Sequence, residues 1–456
     1  MRIESLQNQD PESTEVLFEK ACLLDRSGQT EAAKSAYLDL LERSPQHSGA
    51  LNNIGTLLYS TGYRTAARTA YSEAVKQHPH DPMGHVNLAN ALLEAGELEP
   101  ARGHYEAALF FDPEHRGAHQ GLGNLLSELG QEEASREHQR LGHRQVTEIP
   151  YRGEGKPVSV LLLVASGRGG NVPIRQMLDD QVFRTFAVAP EFYDLDAALP
   201  SHQLVVNAIG DADLCGRALD SAVNLVERTL APVINSPAAV LATGRMANAR
   251  RLAGLPGVVA PKVAQVTREN LGVLEYPALL RTPGFHNGEH FVRVENAQQL
   301  TGALTSLPGN ELTAIDFLDA RGTDGKFRKY RVMLVDGRLY PLHLAISSNW
   351  KIHYVTADMA DNAEHRAEEA RFLENMPAVL GSRAMAALQL IQETLALDYA
   401  GIDFGLSREG DVLLFEANAT MVVPEPAADA RWAYRRDAVQ RIHDAVRKML
   451  LARAGV

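Results

Sequence analysis

The stretch Ala400-Gly-Ile-Asp-Phe-Gly-Leu-Ser-Arg-Glu-Gly-Asp-Val-Leu-Leu-Phe-Glu-Ala-Asn418 decides how the C-terminal part of this chain is read. Apolar and polar residues alternate on both sides of Arg408-Glu409-Gly410, the pattern of two strands joined by a tight turn. Folding about Glu409 and Gly410 sets Asp403 opposite Glu416, and Asn418, two residues on, projects from the same face. Ile402, Phe404, Leu413 and Phe415 fall on the other face and are expected in the core. Two carboxylates directly across a ladder repel each other. A cation with oxygen ligands removes that conflict. Mg²⁺ uses one or two carboxylates and leaves its other positions to water and phosphate oxygens, which suits Asp403, Glu416 and Asn418. The plainer reading is a solvated polar face on an ordinary hairpin. On the metal reading, Asp403→Asn relieves repulsion and leaves the ligand-free protein no less stable.

A chain of 456 residues has room for about two to four domains with real cores. Its 45% hydrophobic and 22% charged content is that of an ordinary globular protein. The formal charge of −12 argues against sequence-independent binding of nucleic acid, which needs a basic surface. Cys22 and Cys215 are the only cysteines, so there is neither a disulfide framework nor a zinc signature. The first ten residues lack the apolar core of a signal peptide. The longest apolar run, 158–165, is broken by Ser159 and is too short to span a bilayer. The expectation is a cytoplasmic protein without membrane contact.

From residue 14 to about 149 the sequence repeats itself. Gly28, Gly62, Gly96 and Gly130 recur every 34 residues, as do Tyr37, Tyr71 and Tyr105, and Pro45, Pro79 and Pro113. Ala21, Gly55, Ala89 and Gly123 form one small-residue row, and Ala33, Ala67 and Ala101 another. Small residues let two helices approach, the glycine ends the first and the proline ends the second. The fourth unit carries Gln139 and Thr147 where tyrosine and proline are due, as a terminal unit does. The order and spacing resemble the tetratricopeptide repeat, which implies an all-α solenoid of four repeats over 14–149. Such solenoids present a groove for a peptide or protein. Asn52, Asn53, Asn87 and Asn90 sit on first helices, where groove-lining residues belong. The competing reading is a solvated face, with the repeats packing on the rest of the chain or forming a homodimer contact.

Residues 150–157, with two glycines and two prolines, read as a linker. Beyond it short strands alternate with helices: a small α/β unit over 158–236 and a larger part over 237–456. The loop Ala165-Ser-Gly-Arg-Gly-Gly-Asn171 follows the first strand and precedes a helix expected near Pro173. It does not match G-x-G-x-x-G, yet free backbone N–H groups at a helix start suit a carboxylate or phosphate. Gly167, Arg168 and Gly169 are therefore candidate substrate residues. The segment 342–354 mixes aromatic, basic and titratable groups just past a strand end, and His343, Lys351 and His353 join that list, with Trp350 beside them.

Asn235-Ser-Pro, an Arg-bearing helix, Pro277-Ala-Leu-Leu-Arg281 with a Gly/His loop, Ile315-Asp-Phe-Leu-Asp319, Lys329-Tyr-Arg331, Asp403 and Glu416-x-Asn418 follow in order. Together these resemble the ATP-grasp ligases, most of all the glutathione-synthetase and ribosomal-protein glutamate-ligase branch, over about 158–456. The resemblance implies an α/β fold of mixed sheets with helices, with a nucleotide lid at about 260–318. It implies ATP and Mg²⁺ as cofactors, with Asp403, Glu416 and Asn418 as metal ligands. Asp316, Phe317 and Leu318 become the hinge that reads adenine, Asp319 the ribose contact, and Lys329 a further nucleotide contact. Arg245 and Arg281 fall where the family has phosphate-binding lysines, exchanging a point charge for a planar fork. Arg331 is the implied catalytic arginine, touching the transferred phosphoryl group and the carboxylate. The implied reaction joins a carboxylate, from a small molecule or a peptide, to an amine through an acyl phosphate, releasing ADP and phosphate. The alternative is a non-catalytic repeat scaffold with a degenerate nucleotide-binding domain.

Overall fold

The computed structural model describes residues 13–167, 169–172, 177–194, 196–284, 288–352, 354 and 357–456. It separates into two compact units, 1–145 and 146–456.

The first unit is all helix among its described residues: α1 Thr14–Arg26, α2 Thr30–Arg43, α3 Ser48–Ser60, α4 Arg64–Gln77, α5 Pro82–Glu94, α6 Leu98–Phe111, α7 Arg116–Glu128 and α8 Glu132–His143. They form four helical pairs in the expected register. Gly28, Gly62, Gly96 and Gly130 take φ between 69° and 89° just past each first helix, the left-handed turn that glycine adopts without a Cβ penalty. Tyr37, Tyr71 and Tyr105 are buried against the small-residue rows. The four asparagines expected to line a groove have partners inside the repeats. Asn52 donates to Asp81 (3.3 Å), Asn87 to the Asn52 oxygen (3.0 Å) and Asn53 to the Tyr37 hydroxyl (3.2 Å), while Asn90 accepts from the Tyr105 hydroxyl (2.6 Å). Gln139, in the tyrosine position of the last repeat, is buried and donates to Asn124 (2.8 Å).

Histidines add a pattern that the helical periodicity hides. His85 and His104 meet Nδ1 to Nδ1 at 3.0 Å, and His119 and His138 repeat that contact one unit later at 2.8 Å. His85 and His119 donate through Nε2 to the Pro79 and Pro113 carbonyls (2.9 and 3.0 Å), because a carbonyl can only accept. Burial, then the partner ring, pushes His104 and His138 below the usual imidazole range. Burial and the nearby Arg116 push His143 down to about 4. An unfolded histidine takes a proton near pH 6.5, so between there and about pH 4 the unfolded chain binds more protons than the folded one. Stability of the repeats is then fullest above about pH 7 and falls as the pH drops through that window. Hydrogen exchange over α7 and α8, corrected for intrinsic rate, should show protection weakening from pH 7 to pH 5. Equal protection at both values would contradict this.

The second unit mixes sheets and helices. Its strands are β1 Thr147–Ile149, β2 Val158–Leu163, β3 Phe183–Val188, β4 Leu204–Asn207, β5 Val233–Ile234, β6 Val258–Val259, β7 Val263–Thr267, β8 Ala278–Arg281, β9 Phe291–Val294, β10 Glu311–Asp316, β11 Phe327–Val335, β12 Arg338–Ser347, β13 Tyr399–Leu406 and β14 Val412–Asn418. Its helices are α9 Gly216–Val226, α10 Pro237–Leu241, α11 Arg245–Leu252, α12 Leu300–Ser306, α13 Ala363–Glu374, α14 Met376–Leu395 and α15 Arg436–Arg453. Among the described residues these strands form three sheets, with orders β1-β3-β2-β4-β5, β7-β10-β8-β9 and β12-β11-β13-β14-β6. The first is parallel except for β1, the second antiparallel, and the third antiparallel except for β6. β1 corrects the expected boundary: residues 147–149 pair with β3 and belong to the second unit, not to the repeats. The Arg-bearing helix expected after Asn235-Ser-Pro is two helices, α10 and α11, with Gly244 at the break.

The hairpin of β13 and β14 pairs Asp403 with Glu416, as expected, by a different route. The turn centres on Glu409, with Leu406 opposite Val412, and the Gly410 N–H closes it on the Ser407 carbonyl (3.1 Å). A bulge between Asp403 and Phe404 leaves Phe415 as an extra residue and brings Glu416 into register. The bulge also shifts the faces: Ile402 and Phe404 share the core with Val412, Leu414 and Ala417, while Leu413 and Phe415 fall on the Asp403 side.

Asn235 ties the first sheet to the third. Its backbone N–H donates to Asp398 (2.8 Å), its side-chain nitrogen to the Tyr399 carbonyl (2.7 Å), and its side-chain oxygen accepts the Tyr399 N–H (2.8 Å). No helix among the described residues is long and apolar enough to cross a membrane.

Candidate functional site

Four expected residues lie in one line across the third sheet. His343 on β12 is opposite Arg331 on β11, Arg331 opposite Asp403 on β13, and Asp403 opposite Glu416 on β14. Directly paired residues share a face of the sheet, so the line presents imidazole, guanidinium, carboxylate and carboxylate side by side. Arg331 donates through Nε and Nη2 to the two oxygens of Asp403 (2.6 and 2.8 Å). Lys329, two residues earlier on the same face, brings Nζ to 3.2 Å from Asp403 Oδ2. Arg245, the first residue of α11, donates from Nη2 to Glu416 Oε1 (2.8 Å) and ends the line. Asn418 Oδ1 accepts from the Thr420 N–H (3.0 Å) and hydroxyl (2.8 Å).

The repulsion between Asp403 and Glu416 is thus offset by cationic side chains of the chain itself. Asp403 is 3% exposed. Burial alone pushes its carboxyl up, but Arg331 and Lys329 outweigh burial and hold it well below the usual carboxylate range. The argument from repulsion therefore does not require a metal. For the metal assignment the residues divide. Glu416 is more exposed and its carboxylate carries one arginine, so it suits a hard cation that completes its shell with water and phosphate, whereas both lone pairs of the Asn418 oxygen are taken by Thr420 and it could ligate only once the Thr420 hydroxyl turns away. Asp403 has both oxygens committed to Arg331 and Lys329 and serves as their anchor. Among the described residues no group of three or more His, Cys, Asp or Glu side chains forms a metal cluster.

Arg281 closes β8 of the antiparallel sheet. Burial and then Arg245 lower its basicity, while Glu416, Asp211 and Asp213 oppose them, which places all five groups within electrostatic reach. The segment from β10 to β11 follows that sheet. Asp316 exchanges hydrogen bonds with Lys262, its N–H donating to the Lys262 carbonyl (3.0 Å). Phe317 lies under the Arg293 guanidinium (3.9 Å) and edge-on to Phe327 and Trp350 (6.3 Å each), and Leu318 is half-buried. Asp319 is exposed, and both of its oxygens receive Arg321 Nε at 2.9 Å, so a ribose contact there needs that pair to open.

The substrate candidates fare unevenly. His343 lies inside β12, which runs on to Ser347, and not in a loop. It is 5% exposed, its ring packs against Tyr354 (4.7 Å), and its Nδ1 has no hydrogen-bond partner among the described residues. Burial, then Arg331, holds it well below the usual imidazole range, so the ring is neutral. Lys351 donates to the Phe291 carbonyl (3.3 Å) and Trp350 packs edge-on to Phe291 (5.4 Å), so this loop docks on β9. Gly167 and Gly169 lie in the loop after β2, where the N–H groups of Ala165 and Ser166 already donate to Asn171 (2.8 Å) and Glu191 (2.9 Å). Arg168 and His353 lie outside the described residues, as do 285–287 of the Gly/His loop and 173–176, where a helix was expected; residues 177–182 contain no helix.

Sequence reasoning missed Glu369 on α13. It is fully buried, receives the Tyr354 and Tyr434 hydroxyls and the Leu344 N–H, and lies 3.5 Å from Arg435 Nε. A glutamate in a helix as charged as Ala363–Glu374 carries no mark of burial; only the hydroxyls of Tyr354 and Tyr434, brought in from other segments, reveal it.

Comparison with known proteins concerns the first unit. The Tetratricopeptide repeat family model matches residues 18–82 and 54–116, so the helices over 18–116 are tetratricopeptide repeats. Among solved structures, MamA (41-end) from Desulfovibrio magneticus RS-1 is 23% identical, with 28% of this chain and 71% of that chain covered and a TM-score of 0.26. Pseudomonas aeruginosa pilF is 20% identical, with 29% and 61% covered and a TM-score of 0.28. A tetratricopeptide repeat protein from Parabacteroides merdae is 24% identical, with 28% and 51% covered and a TM-score of 0.26. No curated protein matches the chain.

Proposed function

We propose that the second unit is an ATP-grasp ligase that joins a carboxylate to an amine, and that the repeats bring a protein or peptide partner to it. The observation that carries this reading is the line His343–Arg331–Asp403–Glu416, flanked by Lys329, Arg245 and Arg281. Arg245, Arg281, Lys329 and Arg331 bring four cationic donors to this end of the site, which suits phosphate oxygens. The segment Asp316–Asp319 lies on the connection from the antiparallel sheet to β11, which supports reading it as the hinge.

A carboxylate at neutral pH does not acylate an amine, because oxide is a poor leaving group. When the carboxylate oxygen displaces ADP from the γ-phosphoryl group, a C–O–P linkage forms. The neutral amine then attacks the carbonyl carbon, the C–N bond forms, the C–O bond to phosphate breaks, and the amine loses a proton to solvent. Phosphoryl transfer needs positioning and charge neutralisation above all. Arg245 and Arg281 would hold phosphate oxygens, Lys329 and Arg331 the oxygens near the transferred group, and Asp403 fixes both of the latter. Glu416 would hold Mg²⁺, joined by Asn418 once the Thr420 hydroxyl turns away, and the ion would supply charge neutralisation to the phosphates. His343, neutral and buried, keeps water from that end of the line.

A second reading, a nucleotide-binding scaffold without chemistry, is favoured by one observation: Asp403 is fully engaged by Arg331 and Lys329. ADP release separates the two. The ligase requires a carboxylic acid and an amine together for release, measured against pooled amino acids and dipeptides, with the new amide seen by mass spectrometry. Mg-ATP binding without any acceptor-dependent release favours the scaffold.

A further inference from the structure

We propose that Asp213 is a positioning residue, which caps α11 from a separate loop and so sets where the Arg245 guanidinium stands. The first N–H groups of a helix have no partner within it. The residue before α11 is Gly244, which has no side chain to supply one. Asp213 supplies it instead: its Oδ2 accepts the Arg245 N–H at 3.0 Å, from 32 residues upstream. The approach depends on that glycine, because a Cβ on Gly244 would lie 2.7 Å from Asp213 Oδ1. The Arg245 side chain then reaches Glu416, so one residue is fixed at its backbone by Asp213 and at its tip by the charged line.

Asp213 is itself held from behind. Asp211 Oδ1 accepts the N–H groups of Asp213 and Leu214 (2.9 Å each). The N–H groups of Gly210 and Asp211 donate to the Gly170 carbonyl (2.8 and 3.1 Å), in the glycine loop after β2. A Cβ on Gly210 would lie 3.1 Å from the Ala419 carbonyl oxygen, so the same loop packs on the chain between Asn418 and Thr420. The glycine loop, Asp213, Arg245 and Glu416 therefore form one continuous set of contacts. Asp213 also opposes the mutual repulsion of Arg245 and Arg281. A cap as such is worth about 1 kcal/mol of stability. A positioning role shows instead in affinity for the ligand that Arg245 holds, and the inference rests on the nucleotide reading above.

The test is Mg-ADP binding to the full chain by calorimetry. Asp213→Ala should weaken binding about tenfold, whereas Asp213→Asn, whose side-chain oxygen still accepts the Arg245 N–H, should stay within about twofold. In an Arg245→Ala background, Asp213→Ala should add nothing, because both changes remove the same interaction. Gly244→Ala, which pushes the cap away while keeping the aspartate, should reproduce the loss and serves if Asp213→Ala does not fold. Wild-type affinity in both Asp213→Ala and Gly244→Ala, or losses that add in the double variant, overturns this inference alone. No Mg-ADP binding by the wild type overturns the nucleotide reading and the inference with it.

Discussion

Asp403→Asn is expected to destabilise the ligand-free second unit by about 3–5 kcal/mol, the range for breaking a buried ion pair by removing one partner. The carboxylate is 3% exposed and receives two hydrogen bonds from Arg331 and a contact from Lys329. An amide keeps the shape but loses the charge, and its nitrogen faces a cation with a donor. Two partly buried cations are then left without a counter-ion, and each unpaired charge in a low dielectric is costly. Both tryptophans, Trp350 and Trp432, belong to the second unit, so tryptophan fluorescence during urea unfolding reports on it without interference from the repeats. A midpoint unchanged in Asp403→Asn would sink the anchoring role. It would also restore the expectation from the sequence, where the two carboxylates stood alone across the hairpin.

Glu416→Gln should act on the other observable. Glu416 is 38% exposed and its partner Arg245 is 27% exposed, and a pair so placed is worth about 0–1 kcal/mol. The amide oxygen that replaces the carboxylate can still accept from Arg245, so the melting temperature should hardly move. In the ligase reading Glu416 would hold Mg²⁺, which would supply charge neutralisation for phosphoryl transfer. Removing one such electrostatic contact costs about 10²–10³ in turnover. Acceptor-dependent ADP release should therefore fall by that factor while the fold is unchanged. Unchanged turnover rules out Glu416 as a metal residue; a large loss of stability marks it as structural. The two carboxylates, directly opposed on neighbouring strands, are predicted to fail in different ways because one is buried and anchored and the other faces solvent.

Much of this was legible in the residues. The helical pairs of the repeats could be read, since each unit packs on its neighbour and a fixed period records that packing, but the histidine pairs and the internal partners of the asparagines could not. The pairing of Asp403 with Glu416 could be read too, but the reasoning reached it through a turn one half-step out of place, which the bulge at Phe415 corrects. A bulge leaves no signature in an alternating pattern unless a glycine marks it. The partners of Asp403 could not be read, because Arg331 lies 72 residues away and the pairing depends on strand order. β3, with a single clearly exposed position, has no alternation to find. The burial of His343 follows from β12 running on to Ser347 beneath α13, and only the packed structure shows it.

The knot of hydrogen bonds around Asn235 has a consequence for how the molecule comes into being. It joins residues 163 and 164 positions apart, and Arg245 meets Glu416 across 171. Between those ends the chain must first complete the antiparallel sheet and most of the third. Contacts of such separation form late, because the loop they close must be ordered before they repay it. In the repeats each helix packs chiefly on its sequence neighbours, so they should fold as they leave the ribosome, well before the charged line exists. For much of its synthesis the protein is thus a finished solenoid trailing an unfinished second unit, and whatever the solenoid binds can be engaged before that unit has a site.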